Sequence, residues 1–235
     1  MTIRNFDRSQ RYAAIVAGFG YLLIIALGVF AEFFVRGALV VPEDAATTVS
    51  NITANALLFR FGISGYLIMA ILDAVVGLAL YVLLKPVNRN VSLLAAWFRL
   101  MHAIILGIAL QNLFSVLHLI SAADYLTAFT ADQLSAQVML FLDAFNFTWL
   151  IGLVFFGLHC LALGYLIFKS GFIPRILGIL LIAAAFGYLI DSFAHFLLSD
   201  YTMYAMLFLL VVAVPAFLAE VSLCFWLLFK GAKAR

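Results

Sequence analysis

Three side chains that are typical of proton transfer and metal binding lie close together near the end of the chain. Asp191 and His195 are spaced i, i+4, and Tyr188 comes three residues before Asp191. In an α-helix this spacing places the phenol, the carboxylate and the imidazole on one face. The pattern therefore predicts a polar helix face inside an otherwise apolar stretch.

Two further apolar segments carry polar side chains at a comparable depth. Gln111 and His118 lie seven residues apart in one, and Asp143 and Asn146 are spaced i, i+3 in the other. If these faces converge with the first, two imidazoles and two carboxylates meet, which suits a zinc-like metal or proton shuttling. The alternative is that each Asp only neutralises a His or Arg60 within the bundle. The predicted outer pocket consists of Arg60, Gln111, His118, Asp143, Asn146, Tyr188, Asp191 and His195, with His118, Asp143, Asp191 and His195 as the candidate metal ligands.

A second group of ionisable residues falls roughly 9 to 15 residues from the opposite helix ends, which is a similar depth in each helix. This predicted inner cluster consists of Asp73, Arg99, His102, His159 and Glu220. A short turn joins the segments of Asp73 and Arg99, so these segments are neighbours and we expect the two residues to pair, with His102 in reach. Charged groups are costly inside a membrane unless they are paired or functional. Two interpretations stay open, namely polar contacts that fix helix packing and a proton or ion relay.

Two local features accompany these groups. Glu220 follows Pro215 by five residues, and a proline frees a backbone carbonyl and can kink the helix that holds it. Glu32 and Arg36 are spaced i, i+4, and we expect this pair to close on itself or with Arg60 in a structural role.

The amino-acid composition indicates the class of protein, and thus the kind of element that holds these residues. Of the 235 residues, 67% are apolar and 10% are charged, and the mean hydropathy is +1.20. Soluble domains contain roughly 45–50% apolar and about 25% charged residues. The chain is therefore predicted to be an integral membrane protein, and a disordered chain or a nucleic-acid-binding protein is excluded. Cys160 and Cys224 both fall in apolar stretches, so a disulfide scaffold is excluded too.

Six stretches reach the roughly 20 apolar residues that a membrane-spanning helix needs. The predicted spans are residues 12–36, 56–84, 91–121, 134–168, 176–198 and 202–229. We therefore predict an all-α, polytopic bundle of six transmembrane helices that forms one integral membrane domain over residues 1–235. Residues 42–55 are predicted to be a polar loop, and residues 85–90 and 169–175 tight turns. The fourth span is longer than a bilayer requires, so we expect it to tilt or to begin outside near Asp132 and Gln133.

Basic residues concentrate on one side of this pattern of spans. Of the thirteen Lys and Arg residues in the chain, ten lie on this side, namely Arg4, Arg8, Arg11, Lys85, Arg89, Lys169, Arg175, Lys230, Lys233 and Arg235. The charged residues of the opposite loops are all acidic, namely Glu43, Asp44, Asp124, Asp132 and Asp200. The positive-inside rule then predicts that the N- and C-termini are cytoplasmic.

The region around the fourth and fifth spans carries a distinctive sequence. Residues 154–178 read VFFGLHCLALGYLIFKSGFIPRILG, residues 187–192 read GYLIDS, and residues 97–100 read WFRL. These motifs resemble the bacterial membrane-protein family described as domain of unknown function 4386, from the second span onward. The resemblance implies an inner-membrane bundle of about six helices and implies no catalytic residue.

Four classes of function are compatible with the sequence. A metal or an Asp/His pair in the outer pocket could activate water, as in a membrane hydrolase acting on a lipid-derived substrate. Haem could bind between His102 and His159 or between His118 and His195, although the 16 residues between His102 and His118 place them about 160° apart on one helix. An ion-coupled transporter and a structural or accessory membrane protein are the other two. We expect a buried outer pocket that binds a small ligand, a lipid or a metal, with the bilayer as partner, no nucleic acid, and enzyme activity left open.

Overall fold

The computed structural model of the chain describes residues 7–121, 123–198 and 200–231. Every regular element in these ranges is helical, which confirms the all-α prediction. The α-helices are α1 (Arg8–Val29), α2 (Gly37–Leu39), α3 (Ala45–Ala54), α4 (Ala56–Leu84), α5 (Arg89–Leu119), α6 (Ala131–Ser170), α7 (Arg175–Leu197) and α8 (Tyr201–Phe229). A π-helical segment, Phe30–Arg36, joins α1 to α2, and a short 3₁₀ helix, Asp124–Ala128, precedes α6.

Among the residues that the structure describes, six helical segments are long and apolar enough to cross a membrane. These segments are Arg8–Leu39, Ala56–Leu84, Arg89–Leu119, Ala131–Ser170, Arg175–Leu197 and Met206–Phe229. Each end lies within four residues of the predicted end. The chain is therefore an all-α, multi-span membrane protein. Of the basic residues that predict its orientation, Arg4, Lys233 and Arg235 lie outside the described ranges.

The longest of these helices, α6, is continuous over 40 residues. At 1.5 Å per residue it measures about 60 Å, roughly twice the hydrocarbon thickness of a bilayer. Its start is fixed by a reciprocal cap, because the Thr130 N–H donates to Gln133 Oε1 (2.9 Å) and the Gln133 N–H donates to Thr130 Oγ1 (3.3 Å). The polar residues predicted at the outer end of this span thus belong to the first turn of the helix.

The segment before α4 differs from the prediction of a polar loop over residues 42–55. Helix α3 occupies Ala45–Ala54, and Asp44 caps it by accepting from the Thr47 N–H (2.9 Å) and the Thr47 hydroxyl (2.7 Å). Thr48 is fully buried and its hydroxyl donates to the Val41 carbonyl (3.1 Å), while Ile52 is buried on the same face. The N-cap and this buried face stabilise a helix that mean hydropathy does not reveal.

Two tight turns connect the long helices where the sequence predicts them. Between α4 and α5, Asn88 Oδ1 accepts from the Val91 N–H (3.1 Å) in the first turn of α5. Between α6 and α7, Gly171 has a φ of 74°, a conformation that favours glycine, and Pro174 directly precedes α7. Both turns are short, so each pair of helices is antiparallel.

The chain divides into two compact units. The first comprises Met1–Leu23, Ile71–Ala103 and Ile151–Arg235, and the second comprises Ile24–Ala70 and Ile104–Leu150. Helices α1, α4, α5 and α6 each contribute residues to both units.

Glycines allow close helix packing within the first unit. A Cβ atom added to Gly164 of α6 would lie 2.7 Å from the carbonyl oxygen of Gly178 of α7, and one added to Gly187 would lie 2.8 Å from the Val211 carbonyl oxygen of α8. Contacts this short exist only where no side chain intervenes. Small residues thus bring α7 against both α6 and α8, as is common between membrane helices.

Candidate functional site

A buried polar cluster in the first unit draws side chains from all six long helices. We call it the Arg99 cluster, and it consists of Tyr21 (α1), Asp73 (α4), Arg99 and His102 (α5), His159 (α6), Tyr188 (α7) and Glu220 (α8). It includes all five residues of the predicted inner cluster and adds two tyrosines. At the depth of a membrane-spanning helix the surroundings are lipid and not water, so each of these polar groups needs a partner within the protein.

Arg99 lies at the centre of the cluster with no exposed surface. Its Nη2 donates to Asp73 Oδ1 (2.6 Å), and its Nη1 donates to the Tyr21 hydroxyl oxygen (2.8 Å) and contacts His159 Nε2 (3.2 Å). Its guanidinium carbon also lies 4.6 Å from the centre of the Tyr21 ring and 5.4 Å from that of Phe156. The predicted Asp73–Arg99 pair is confirmed, and aromatic faces add to its stabilisation.

Asp73 uses both carboxylate oxygens within the cluster. Oδ1 accepts from Arg99, and Oδ2 lies 3.0 Å from His102 Nδ1. The expected proximity of His102 to this pair is confirmed. A carboxylate that is only 2% exposed is thus matched by one guanidinium and one imidazole N–H.

The hydrogen bonds of His159 define its protonation. Nδ1 lies 2.8 Å from the Ala95 carbonyl oxygen, which can only accept, so Nδ1 carries the proton. Nε2 lies 3.2 Å from Arg99 Nη1, which can only donate, so Nε2 is unprotonated. The ring is therefore neutral and both nitrogens are occupied. The haem-ligand pair of His102 and His159 gains no support from this geometry.

Glu220 and Tyr188 complete the cluster on α8 and α7. The Tyr188 hydroxyl donates to Glu220 Oε1 (2.8 Å), and Glu220 interacts electrostatically with Arg99, Asp73 and His102. The spacing of Tyr188 and Asp191 had placed Tyr188 in the outer pocket. In the structure its side chain reaches Glu220 instead, because helical side chains point towards the N-terminus of their own helix, away from Asp191.

One aromatic ring packs between several members of the cluster. The centre of the Phe156 ring lies 5.0 Å from that of His102, 5.8 Å from that of His159 and 5.3 Å from that of Tyr188. Phe156 is 6% exposed. It thus supplies an aromatic surface that contacts both imidazoles, Tyr188 and the guanidinium of Arg99.

Asp191 and His195 come together near the end of α7. His195 Nδ1 lies 3.7 Å from Asp191 Oδ1 and 3.2 Å from the Asp191 carbonyl oxygen. Tyr201, which the sequence analysis did not single out, donates its hydroxyl to Asp191 Oδ1 (2.6 Å), and its ring centre lies 3.4 Å from that of His195. These side chains are partly exposed, with 28% of His195 and 14% of Asp191 accessible.

The other outer-pocket candidates belong to the second unit, where most of them face outward. Arg60, Gln111, His118 and Asp143 are exposed. Asn146 is half-buried, and its Oδ1 accepts a hydrogen bond from Arg36 Nη2. The sequence had grouped it with Asp143 by their i, i+3 spacing.

Arg36 links a second polar group, which is contained in the second unit. Its Nη1 lies 3.1 Å from Glu32 Oε1, so the predicted Glu32–Arg36 pair is confirmed. The Tyr66 hydroxyl donates to the same carboxylate, and the guanidinium carbon of Arg36 lies 4.8 Å from the centre of the Phe145 ring. The π-helical turn Phe30–Arg36 carries both members of this ion pair.

The structure does not assemble the predicted metal site. Over residues 7–121, 123–198 and 200–231, no three His, Cys, Asp or Glu side chains come close enough together to hold a metal ion. Asp191 and His195 supply two donors, whereas a protein zinc site has at least three protein ligands. A zinc-dependent hydrolase therefore gains no support from the described geometry.

Comparisons with known proteins agree with the sequence resemblance. Residues 16–231 match the family model described as domain of unknown function (DUF4386). An uncharacterized protein of Archaeoglobus fulgidus is 35% identical over 173 residues, which cover 74% of this chain and 85% of that protein. No solved structure matches the chain. The predicted resemblance is confirmed, and the chain belongs to the DUF4386 family, a family of unknown function.

Proposed function

We propose that the chain is a proton-coupled membrane protein in which the Arg99 cluster binds and releases one proton. This is the ion-coupled candidate of the sequence analysis. The observation that carries it is a site with a buried carboxylate, Asp73, a half-buried carboxylate, Glu220, and one buried permanent cation, Arg99.

The charge count of the cluster explains why a proton is exchangeable there. Arg99 carries one positive charge at any physiological pH, and His159 is neutral by its hydrogen bonds. Asp73 balances Arg99, so the cluster is electrically neutral only if one further proton sits on Glu220 or on His102. A low-dielectric environment favours neutrality, and two acceptors for one proton form a coupled titrating site.

The positions of the two acceptors suit proton movement through the cluster. His102 is 5% exposed and bonded to Asp73, whereas Glu220 is half-buried and bonded to Tyr188. A proton that enters at Glu220 can thus be balanced by the loss of one from His102 without a net change in buried charge. Buried ionisable groups of this kind commonly serve proton relays in membrane proteins.

Infrared difference spectroscopy on the full chain in lipid vesicles tests this proposal. A protonated carboxyl has a C=O stretch that is distinct from the carboxylate bands. We expect a carboxyl band that changes with pH in the wild type and that is absent in Glu220→Gln. Glu43→Gln removes an exposed loop carboxyl and is the matched control, which should keep the band.

A second measurement follows the other acceptor. Nitrogen NMR of the full chain should show a neutral His102 ring in Glu220→Gln, because Arg99 and Asp73 already balance each other. A pH-dependent carboxyl band that survives in Glu220→Gln, or a wild type with no such band, would reject Glu220 as the proton site.

A second candidate function is the binding of a small polar or lipid-derived ligand by Asp191, His195 and Tyr201, without the remaining residues of the predicted outer pocket. It is favoured by the partly exposed contact of Asp191, His195 and Tyr201. Mass spectrometry of solvent extracts from the purified chain should then reveal a bound compound that Asp191→Ala and His195→Ala lose. His118→Ala, which changes an exposed imidazole elsewhere, should retain it. Identical extracts from the wild type and both pocket variants would reject this candidate.

A further inference from the structure

An apolar groove opens on the surface of the first unit between α4 and α5. Its volume is about 250 Å³. It is lined by Ala74, Leu78, Tyr81, Leu93, Ala96, Trp97 and Leu100. Trp97 and Leu78 are more than half exposed, so the groove faces the surroundings of the helices and not the Arg99 cluster. At the depth of a membrane-spanning helix, those surroundings are lipid.

One end of the groove lies next to a pair of basic residues. Lys85 is four residues beyond Tyr81, and Arg89 is four residues before Leu93, so each is one helical turn from a lining residue. Both are exposed, and residues 85–90, which comprise the turn after α4 and the first two residues of α5, include no acidic residue. This turn is therefore a positively charged surface beside the apolar groove.

We propose that the groove and the turn form a binding site for one anionic phospholipid. An acyl chain lies in the groove, and the phosphate lies between Lys85 and Arg89. The side chains of Tyr81 and Trp97 line the groove, and aromatic residues of these two types are enriched at membrane interfaces. The site is independent of the proton site, because none of its residues belongs to the Arg99 cluster.

Charge complementarity selects the headgroup. A zwitterionic lipid could place the same acyl chain in the groove, but its phosphate charge is cancelled by its own ammonium group. Each Lys or Arg near an anionic lipid surface contributes about a fivefold increase in binding. We therefore expect the two basic residues to favour the anionic headgroup by at least about fivefold.

Quenching of Trp97 by brominated lipids measures this preference. The probe is the full chain with Trp149→Phe and Trp226→Phe, which leaves Trp97 as the single tryptophan. In vesicles that mix brominated and unlabelled lipids, brominated phosphatidylglycerol should quench Trp97 at a lower mole fraction than brominated phosphatidylcholine. Lys85→Gln with Arg89→Gln should abolish the difference.

A second basic turn provides the matched control. Lys169 and Arg175 flank the turn between α6 and α7 and are also exposed. Lys169→Gln with Arg175→Gln removes the same charge and should leave the lipid preference intact. A groove-filling Ala96→Leu variant should weaken quenching by both lipids.

Three outcomes would overturn the proposal. The first is equal quenching by both lipids in the wild type. The second is an equal loss of preference in the two double variants. If the Lys85/Arg89 variant fails to fold, high salt serves instead, because screening should reduce the preference of the wild type. The third outcome is a preference that salt does not change.

Discussion

At the residue scale, the buried cluster depends on the shape of Arg99 as well as on its charge. The two terminal nitrogens reach Asp73, Tyr21 and His159, which lie on three other helices. A lysine offers one nitrogen and no planar fork, so it could not hold the same three acceptors in this arrangement. Arg99 therefore connects α5 to α1, α4 and α6 within the first unit.

Replacement of Arg99 by an apolar residue should destabilise the fold, because Asp73 is then buried without its cation. We expect Arg99→Leu to lower the free energy of unfolding by about 3–5 kcal/mol, because the carboxylate is left without its cation. Asp73→Asn combined with Arg99→Leu should recover much of that loss, since no unpaired charge remains. Unfolding in mixed detergent micelles, followed by circular dichroism, measures both. Equal stabilities of the single and double variants would show that the ion pair does not stabilise the fold.

The sequence predicts those contacts that chain connectivity dictates. A short turn connects the helices of Asp73 and Arg99, and Glu32 and Arg36 are one helical turn apart. Both pairs therefore follow from the local geometry of the chain. Tyr188 is different, because its hydroxyl lies several ångströms from its own backbone. Its partner depends on the direction of the side chain and on the neighbouring helix. The spacing of residues along the sequence gives no information about either.

At the element scale, α6 and α7 share a regular glycine pattern. Gly157, Gly164, Gly171 and Gly178 are each seven residues apart. Gly171 forms the turn, and Gly164 and Gly178 then face each other across the antiparallel pair. Backbone lies directly against backbone at this point, so the helices cannot accommodate a methyl group without moving apart.

Gly178→Ala tests this close approach. The added Cβ would lie 2.7 Å from the Gly164 carbonyl oxygen and 2.8 Å from the Phe168 amide nitrogen, and neither backbone atom can rotate away. We expect a loss of about 1–3 kcal/mol in the free energy of unfolding. Gly107→Ala is the control, because an added Cβ there meets nothing within 4 Å. It should be neutral or stabilising, and a similar loss in both variants would contradict the packing argument.

The long helices and α3 differ in how far the sequence reveals them. The six long helices follow from runs of apolar residues, and their ends follow from Pro, Gly and charged residues. Helix α3 contains Thr, Ser and Asn, which are poor helix formers, and it is only ten residues long. It exists because Asp44 caps it and because Thr48 and Ile52 find a buried surface, and the second condition is visible only in the folded chain.

The cap of α3 should make this helix sensitive to acid. Hydrogen bonds from the backbone N–H and the hydroxyl of Thr47 hold the pKa of Asp44 below its ordinary value. Because the folded pKa is the lower one, the stabilisation is complete above the unfolded pKa and is lost as the pH falls through the folded pKa. Hydrogen exchange of α3, corrected for intrinsic rates, should therefore show more opening in acid.

Asp44→Asn separates the titration from the cap itself. Asparagine can also accept from a helix N-terminus, so this variant should keep α3 folded at neutral pH and lose the acid-dependent opening. Acid-dependent opening that persists unchanged in Asp44→Asn would assign it to another group.

At the scale of the whole molecule, charge and connectivity together predict an orientation. The turns after α4 and after α6 are basic, whereas the segments after α2, α5 and α7 contain only acidic charged residues. Six spans predict that both termini lie on one side, and the positive-inside rule predicts that this side is the cytoplasm. In this orientation the Lys85–Arg89 lipid site faces the cytoplasmic leaflet. The headgroup preference by itself does not depend on which leaflet the site faces.

Cysteine labelling on spheroplasts tests this orientation. Cys160 and Cys224 are 1% and 2% exposed, so the native chain should not react with a membrane-impermeant maleimide and serves as the background. Glu43→Cys should react from outside, and Lys85→Cys should react only after the membrane is permeabilised. The opposite pattern would reverse the topology and move the lipid site to the other leaflet. Labelling of both from outside would mean that α4 does not cross the membrane, although it is 29 residues long and its final residues lead directly into the basic turn.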